Sequence, residues 1–229
     1  MAVLLVAATA AGGVIALLTS TRSVGDAPAR AQAILAAHHA PSDDGVIPVK
    51  VGDAVIAAED SRYYHDPALD PRGLLRTTWG AVEGNSNAGG VTIELQLAKL
   101  LYTPGLSGAR AEVDQLGLAI KLDRTFTKTR ILALYLDAAY FGDGAQGVTL
   151  AAHHYFGVAP LALSWAQASL LAGLVQAPSA YDPAGHLTLA RQRQGQVLDR
   201  LVATNVLSRD QANVIAKEPL HPAIPFGDR

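Results

Sequence analysis

The chain has 229 residues and a mass of 23.8 kDa, enough for one domain with a short extension and too few for several full-sized modules. Its net charge is −2, and 17% of its residues are charged, against about 25% in typical soluble domains. This composition excludes a polybasic nucleic-acid binder and an acidic disordered tail. The chain contains no cysteine, so disulfides, thiolate metal sites and a cysteine nucleophile are also excluded.

The N-terminal segment from Ala2 to Thr19 is apolar and carries no charged side chain. About 20 apolar residues cross a bilayer core, so the segment predicts a transmembrane anchor over residues 1–20. A signal peptide or a buried helix is the alternative, although the basic region that precedes the apolar part of a signal peptide is missing. Charge alone does not orient the anchor, because no Lys or Arg precedes it while Arg22 and Arg30 follow it.

Behind the anchor we expect a linker and a short alanine-rich helix over residues 21–45, the helix ending at His39. Residues 46–219 are expected to form one mainly helical domain, followed by an irregular tail over residues 220–229. Hydrophobic residues make up 50% of the chain and aromatic residues only 6%, an aliphatic composition that favours helices. Apolar residues spaced three and four apart predict helices over 91–102, 111–123 and 128–140.

Local signals mark several helix ends. Asp70 followed by Pro71 is typical of a helix start, and Gly84 of its end. The pairs Ser164 with Gln167 and Ser208 with Gln211 have the spacing of capping boxes. The apolar segment from Trp165 predicts a buried helix that Pro178 stops.

An acidic pair, Glu59-Asp60, directly follows the apolar run VIAA. A carboxylate at the edge of an apolar wall loses hydration, which disfavours its charged form and suits it to proton transfer near neutral pH. The alternative is a solvated surface pair without a chemical role.

The second candidate is the segment GGVTIELQLAKLLY, in which Gly89 and Gly90 precede a predicted helix. Thr92, Gln96 and Lys99 share one face of this helix, because they are spaced four and three residues apart. A helix start with free N–H groups and a lysine on the same face can hold an anionic group.

Other patterns carry weaker signals. The glycine-rich loop from Phe141 to Gly147 either approaches a ligand or is a plain turn between helices. The pairs His38-His39 and His153-His154 lack an acidic partner at ligand spacing, so no metal site is assigned to them.

Together these segments resemble the peptidoglycan glycosyltransferase family, which comprises the glycosyltransferase domain of class A penicillin-binding proteins and the monofunctional transglycosylases. The resemblance runs from about Val55 to Ala212. The first family motif, EDxxFxxHxG, is matched by Glu59, Asp60 and Arg62, with Tyr63 in place of Phe. The second, GGSTITQQLAKN, is matched by Gly89, Gly90, Thr92, Ile93, Gln96, Leu97, Ala98 and Lys99, whereas Val91, Glu94 and Leu95 depart from it.

The later segments also resemble the family. DPRGLLR, which ends at Arg76, agrees with the stretch after the first motif, and TKTRILALYLDAAYFGDGAQGV resembles SKxxILxxYLNxxYFGxGxxGV. The RQRQGQVLDRLV run from Arg191 follows the closing helices of the family. The resemblance implies a mainly α, lysozyme-like two-lobed helical domain behind an N-terminal membrane anchor. It also implies a cell-membrane, single-pass protein with its catalytic domain outside the cytoplasm.

The third family motif, RKxxE, is altered. By the family spacing it falls on residues 111–115, where Ala111 and Glu112 replace the Arg-Lys pair and Gln115 replaces the second glutamate. The family uses these basic groups on a diphosphate, and their exchange removes attraction or adds repulsion. Arg110 stands one residue early, and one residue turns a helix position by about 100°.

The resemblance implies that Glu59 is the catalytic base, which takes a proton from an acceptor sugar during glycan elongation from lipid II. Substrate-binding roles follow for Asp60, Arg62, Arg76, Gly90, Thr92, Gln96, Lys99 and Arg110. Bound Mg²⁺ or Mn²⁺ is the expected cofactor, with no organic cofactor. The expected partners are lipid II, the nascent glycan strand, the membrane and cell-wall synthesis proteins, without nucleic acid.

Two alternatives stand beside an active glycosyltransferase. The altered third motif favours a catalytically weakened relative that binds lipid II or glycan as a scaffold or regulator of cell-wall assembly. A lysozyme-like hydrolase would also use one glutamate as a general acid, but it would leave Lys99 without a role.

Overall fold

The computed structural model describes residues 17–42, 45–66 and 92–227. Within these ranges the chain is mainly helical, and its only β pairing is an isolated antiparallel bridge between Tyr140 and Gln146. In chain order the helices are α1 (Ala27–Ala37), α2 (Val49–Glu59), α3 (Ile93–Tyr102), α4 (Ala109–Thr125), α5 (Lys128–Ala138), α6 (Val148–Phe156), α7 (Trp165–Leu174), α8 (Leu187–Ala203) and α9 (Arg209–Ile215), with a short 3₁₀ helix at Pro160–Ala162. The predicted mainly α class is confirmed for the described part of the chain.

The helices pack as two groups. In one group α2 packs against α7 and α8, and α8 also packs against α7 and α9. In the other, α3 packs against α4 and α5, and α1 packs against α5. The two groups meet where α2 ends and α3 begins, because Oδ2 of Asp60 accepts from the backbone N–H of Ile93 at 3.3 Å.

Helix α7 is the most buried element, with every residue from Ala166 to Leu174 inside the protein. Apart from Gln167, its side chains are apolar or small on all sides, as expected for a helix that other helices surround. The prediction of a buried helix is confirmed, although α7 ends at Leu174, before Pro178.

Local hydrogen bonds define the helix starts as the sequence predicts. Both predicted capping boxes are present. The side chains of Ser164 and Ser208 each accept a hydrogen bond from the backbone N–H three residues later. In return, the side-chain oxygens of Gln167 and Gln211 accept a hydrogen bond from the backbone N–H of the capping serine. The predicted helices over 91–102, 111–123 and 128–140 correspond to α3, α4 and α5. The alanine-rich helix ends at Ala37, two residues before its predicted end at His39.

The chain enters the domain along α4. Residues 17–20 are helical, and a β-carbon added at Gly117 of α4 would lie 2.6 Å from Cγ2 of Thr21 and 3.0 Å from Cγ of Leu17. The Lys121 ammonium donates to the carbonyls of Thr21 and Arg22 at 2.5 and 3.0 Å. Gly117 therefore leaves room for the entering segment, and Lys121 binds the carbonyls at its end.

Among the described helices, none has the length and apolar character needed to cross a bilayer. Residues 1–16, most of the predicted anchor, lie outside the described residues, as does the helix predicted from Asp70 to Gly84. Residues 220–227 are irregular, and the Leu220 carbonyl accepts from the Gln167 amide at 2.9 Å.

Candidate active site

Glu59 is the last residue of α2, at the point where the two helix groups meet. Its side chain is only 13% exposed, and its Oε2 accepts a hydrogen bond of 3.1 Å from Nε2 of Gln96 on α3. The hydroxyl of Tyr135 on α5 donates to Oε1 of the same Gln96 at 2.8 Å. Glu59 and Gln96, which lie 37 residues apart in the sequence, are therefore in direct contact.

A cation also faces Glu59. Nη2 of Arg193 on α8 lies 3.5 Å from Glu59 Oε1, and the arginine side chain is 13% exposed. This distance makes an ion pair without a hydrogen bond, and Oε1 has no hydrogen-bond partner within the described residues. A β-carbon added at Gly173 of α7 would lie 3.0 Å from Cγ of Arg193, so this glycine makes room for the arginine stem.

Asp60 joins α2 to the first turn of α3. Its Oδ2 accepts from the backbone N–H of Ile93 at 3.3 Å, so it satisfies one of the unpaired N–H groups at the helix start. Burial raises the pKa of Asp60 from 3.8 to about 6, with the hydrogen bond from Ile93 acting in the opposite direction. In this position Asp60 orients α3 relative to Glu59.

A buried ion pair lies under this junction. Glu94 is fully buried, and its Oε1 accepts from the Lys128 ammonium at 2.6 Å. Lys128 also contacts Asp123 at 3.0 Å, donates to the Asp66 carbonyl at 2.9 Å, and lies 4.9 Å from the centre of the Tyr63 ring. Although burial opposes its charge, the hydrogen bonds to Glu94 and Asp123 raise the pKa of Lys128. The lysine therefore ties α5 to α3 and to the segment after Glu59.

The remaining predicted residues of α3 take separate positions. Thr92 is the N-cap of α3, and its side chain accepts from the backbone N–H of Leu95 at 3.3 Å. Lys99 is exposed near the other end of the helix, and Arg62 pairs with Asp66 at 2.8 Å. Gln96 is thus the one predicted binding residue that the described structure brings into contact with Glu59.

On α4 the altered third motif begins the helix. Ala111 is buried, Arg110 and Glu112 are exposed, and Glu112 lies in the first turn. Gln115 is buried, and its Nε2 donates to Oγ1 of Thr103, the C-cap of α3, at 2.9 Å. The position of the second family glutamate therefore carries a neutral amide that joins α4 to α3.

Two predicted binding residues, Arg76 and Gly90, lie outside the described residues. In the ranges that the structure covers, no three His, Asp or Glu side chains form a group that could hold a metal ion. Bound Mg²⁺ or Mn²⁺ therefore stays a prediction.

The sequence interpretation singled out neither Arg193 nor Tyr135. Arg193 lies in the run from Arg191 that resembles the family, and Tyr135 lies inside TKTRILALYLDAAYFG, so the resemblance covered both without giving either a role. His154 also has an acidic partner that sequence spacing did not show, because Asp143 in the glycine-rich loop lies 2.9 Å from its Nε2.

Comparison with known proteins identifies the family. The transglycosylase family model matches residues 31–202. Penicillin-binding protein 1A of Aquifex aeolicus is 37% identical over 175 residues, which cover 76% of this chain and 24% of that protein. A Cupriavidus necator protein named as a transglycosylase is 34% identical over 176 residues, which cover 77% of this chain and 76% of that protein.

A crystal structure of penicillin-binding protein 1A from Haemophilus influenzae matches with a TM-score of 0.41 and 25% identity, over 59% of this chain and 17% of that chain. The chain spans only 20–24% of the length of the first three penicillin-binding protein 1A relatives. The family model nevertheless covers most of this chain and includes Glu59, Gln96, Tyr135 and Arg193. The chain belongs to the transglycosylase family, the peptidoglycan glycosyltransferases.

Proposed function

We propose that the protein is a peptidoglycan glycosyltransferase that polymerises lipid II into glycan strands, with inversion at the anomeric carbon and release of undecaprenyl diphosphate. The observation that carries the proposal is the Glu59 carboxylate, held by Gln96 at 3.1 Å and faced by Arg193 at 3.5 Å. A general base needs a fixed position and a lone pair for the proton that it accepts. Glu59 has both.

In this reaction Glu59 takes the proton from the 4-hydroxyl of the acceptor sugar. The hydroxyl oxygen then attacks the anomeric carbon of the donor, and the carbon–oxygen bond to the diphosphate breaks with its electron pair on the leaving group. Negative charge grows on the diphosphate, so a nearby cation stabilises the transition state. Lys99 is exposed on the same helix as Gln96 and is the candidate for this cation.

The predicted anchor, the extracytoplasmic position of the domain, and contacts with the membrane and with cell-wall synthesis proteins belong to the same proposal. They are supported by the apolar segment from Ala2 to Thr19 and by family membership. Binding roles for Arg62, Arg76, Gly90 and Arg110 are also part of it.

The test is polymerisation of labelled lipid II by the full-length protein in detergent, with Mg²⁺ or Mn²⁺ added. We expect glycan chains from the parent and none from Glu59→Gln, because the amide cannot accept the proton as a base. Glu218→Gln is the matched control: it makes the same substitution three residues after the end of α9 and should retain activity. Equal polymerisation by Glu59→Gln and the parent would contradict the role of Glu59.

A second function is favoured by one observation, the buried amide of Gln115 at the position of a family glutamate. A catalytically weakened relative would bind lipid II or glycan as a scaffold or regulator. It predicts that the folded parent binds labelled lipid II and forms no glycan chains in the same assay.

A further inference from the structure

The turn that follows Glu59 is fastened to the start of α5. Residues 61–65 form this turn. The hydroxyl of Tyr63 donates to the backbone carbonyl of Lys128 at 2.7 Å, and the Lys128 ammonium donates to the carbonyl of Asp66 at 2.9 Å. The Tyr63 side chain is only 1% exposed, and the centre of its ring lies 4.9 Å from the ammonium. Lys128 therefore holds the turn both through its backbone and through its side chain.

Tyr63 is suited to remain the donor in this contact. Burial raises the pKa of its hydroxyl well above the usual value, so the hydroxyl keeps its proton. A buried hydroxyl without an acceptor is costly, which gives Tyr63 a strong preference for the Lys128 carbonyl. The first family motif has phenylalanine at this position, and phenylalanine has no hydroxyl to donate. The contact therefore depends on a departure of this chain from the motif.

The same lysine holds the start of α3 through Glu94. Its ammonium donates to Oε1 of Glu94 at 2.6 Å, and Glu94 is fully buried. Oε2 of Glu94 is buried without a hydrogen-bond partner in the described part of the chain, which costs free energy. A buried ion pair is itself weak evidence for stability, because desolvation offsets much of the attraction. The position that the pair gives to α3 therefore explains it better than stability alone.

These contacts close a ring that returns to Glu59. Gln96 follows Glu94 by two residues on α3 and donates to Glu59 Oε2 at 3.1 Å. From Glu59 the chain runs through the turn to Tyr63, which is bound to Lys128. Lys128 in turn is bound to Glu94. In a closed ring each contact restricts the groups on both sides of it, so the loss of one contact loosens the whole path.

Glu94, like Tyr63, departs from the family motifs. The second motif has threonine at this position, and the short neutral side chain of threonine cannot form an ion pair with Lys128. Lys128 itself matches the lysine of SKxxILxxYLNxxYFGxGxxGV. Two departures from separate motifs therefore meet at one lysine that follows the family pattern.

We propose that Tyr63 and Glu94 are positioning residues that act through Lys128 and hold Glu59 in one place relative to α3. The proposal rests on the proposed function, because a fixed position of Glu59 matters when it takes a proton from a bound acceptor. In that reaction no bond forms or breaks at Tyr63 or Glu94. Their effect is on geometry, and a misplacement of about 1 Å can lower a rate about 100-fold.

The first test variant is Tyr63→Phe, which introduces the residue of the family motif and keeps the ring beside Lys128. Loss of the hydroxyl frees the turn from the start of α5 and lets Glu59 move. We expect kcat to fall about tenfold with KM changed less than twofold, because the contacts that bind the substrate are kept. Polymerisation of labelled lipid II by the full-length protein measures both. An unchanged kcat would overturn the proposal.

The matched control is Tyr155→Phe. Tyr155 is also fully buried, and its hydroxyl donates to the Phe141 carbonyl at 3.1 Å rather than to a member of the ring. Both variants lose one buried hydrogen bond and should lower the Tm by similar amounts, but only Tyr63→Phe should lower kcat. Equal losses of kcat in the two variants would indicate a general effect of stability and would contradict a positioning role.

The second test variant, Glu94→Thr, shows whether the two residues act through the same lysine. It removes the buried carboxylate, and Lys128 keeps Asp123 as a partner at 3.0 Å, so no buried charge is left unpaired. We expect kcat to fall about tenfold, as in Tyr63→Phe. The double variant should lose less than twofold more, because either change opens the same ring. A fall of about 100-fold in the double variant would mean that the residues act independently, against the proposal.

A measurement without turnover separates this proposal from the proposed function. The backbone N–H of Ile93 donates to Asp60 Oδ2 at 3.3 Å, and that of Tyr63 donates to the Asp60 carbonyl at 2.9 Å. Both amides therefore report on how firmly the turn is held beside α3. Their hydrogen exchange, followed by NMR, should be about tenfold faster in Tyr63→Phe than in the parent and unchanged in Tyr155→Phe.

The two proposals then fail in different ways. If the parent makes no glycan but shows this pattern of exchange, the proposed function fails while the hold of Tyr63 on the turn stands. If both amides exchange at the same rate in all three proteins, the positioning role fails whether or not the parent is active.

Discussion

The junction of α2 with α3 and the start of α4 differ in how many of their charged and polar side chains match the family motifs. At the junction, Glu59 contacts Gln96 and Arg193, and Glu94 is paired with Lys128. At the start of α4, an exposed Glu112 and a buried, neutral Gln115 stand where family members carry basic groups and a glutamate. The region proposed to transfer the proton has its charged and polar side chains in contact, whereas the region proposed to face the diphosphate lacks the basic pair of the family motif.

In the proposed reaction the two regions have different requirements. Proton transfer needs close contacts among buried groups, which tolerate few substitutions. Attraction of a diphosphate acts over longer distances and can be supplied from several positions, including Lys99 on α3.

The largest expected effect comes from breaking the ion pair under the junction. Lys128→Met leaves Glu94, which is fully buried, without its cation. Loss of one partner of a buried pair typically costs about 3–5 kcal/mol, because the other charge stays buried. Urea unfolding followed by circular dichroism measures the change in the free energy of unfolding.

The control for this variant is Arg209→Ala, which breaks the ion pair with Asp199. Both side chains of that pair are more than half exposed, at 55% and 64%, and exposed pairs contribute about 0–1 kcal/mol. Equal losses of stability in the two variants would contradict the buried role of Lys128. The double variant Glu94→Leu with Lys128→Met should recover part of the loss, because it removes both charges.

The next effect concerns pH at the same junction. The raised pKa of Asp60, about 6 against 3.8, means that the folded protein holds this proton more tightly than the unfolded chain does. The contribution of Asp60 to stability is therefore greatest below pH 3.8 and is lost as the pH rises through about 6. Asp60→Asn keeps an oxygen that can accept from Ile93 N–H and removes the titration.

Stability measured from pH 4 to pH 7 should consequently fall less in Asp60→Asn than in the parent. We expect a difference of about 1–2 kcal/mol, after allowing for the part of the side chain that water screens. Thermal unfolding at a series of pH values checks the slope. If both proteins lose the same stability over this range, Asp60 does not titrate there.

The smallest effect is expected at the start of α4. Glu112→Lys replaces an exposed negative charge with a positive one where the family motif has a lysine. Removing repulsion and adding attraction should raise kcat/KM for lipid II about fivefold, or about 1 kcal/mol. The same change places a cation in the first turn of a helix, which costs about 0.3–1 kcal/mol of stability.

Asp210→Lys is the matched control, since Asp210 is an exposed acidic residue in the first turn of α9. It should cost similar stability and leave kcat/KM unchanged. A rate increase shared by both variants would indicate a general effect of net charge on an anionic substrate. A lack of increase in Glu112→Lys would show that the start of α4 does not face the diphosphate.

Much of the fold could be predicted from the sequence, because its signals are local. The serines at 164 and 208 and the glutamines three residues later contain all the atoms of a capping box within one turn. The periodicity of apolar residues likewise predicted α3, α4 and α5. The family resemblance gave Glu59 and Gln96 separate roles, and their contact is seen only in the structure.

The rest depends on contacts between segments far apart in the chain. Arg193 reaches Glu59 only because α8 packs against α2, and nothing in the spacing of residues indicates this. Tyr135 lies in an apolar stretch, where a tyrosine is usually a core residue with a satisfied hydroxyl. Glu94 was noted only as a departure from a motif, and its partner Lys128 belongs to another motif.

The contact of residues 17–22 with α4 has a mechanical consequence. Thr21 and Leu17 pack where Gly117 has no side chain, and Lys121 binds the carbonyls of Thr21 and Arg22. A chain held at several points beside one helix is not a loose tether. A pull on the N-terminal side of residue 17 would therefore be transmitted to α4, the helix that carries the altered third motif.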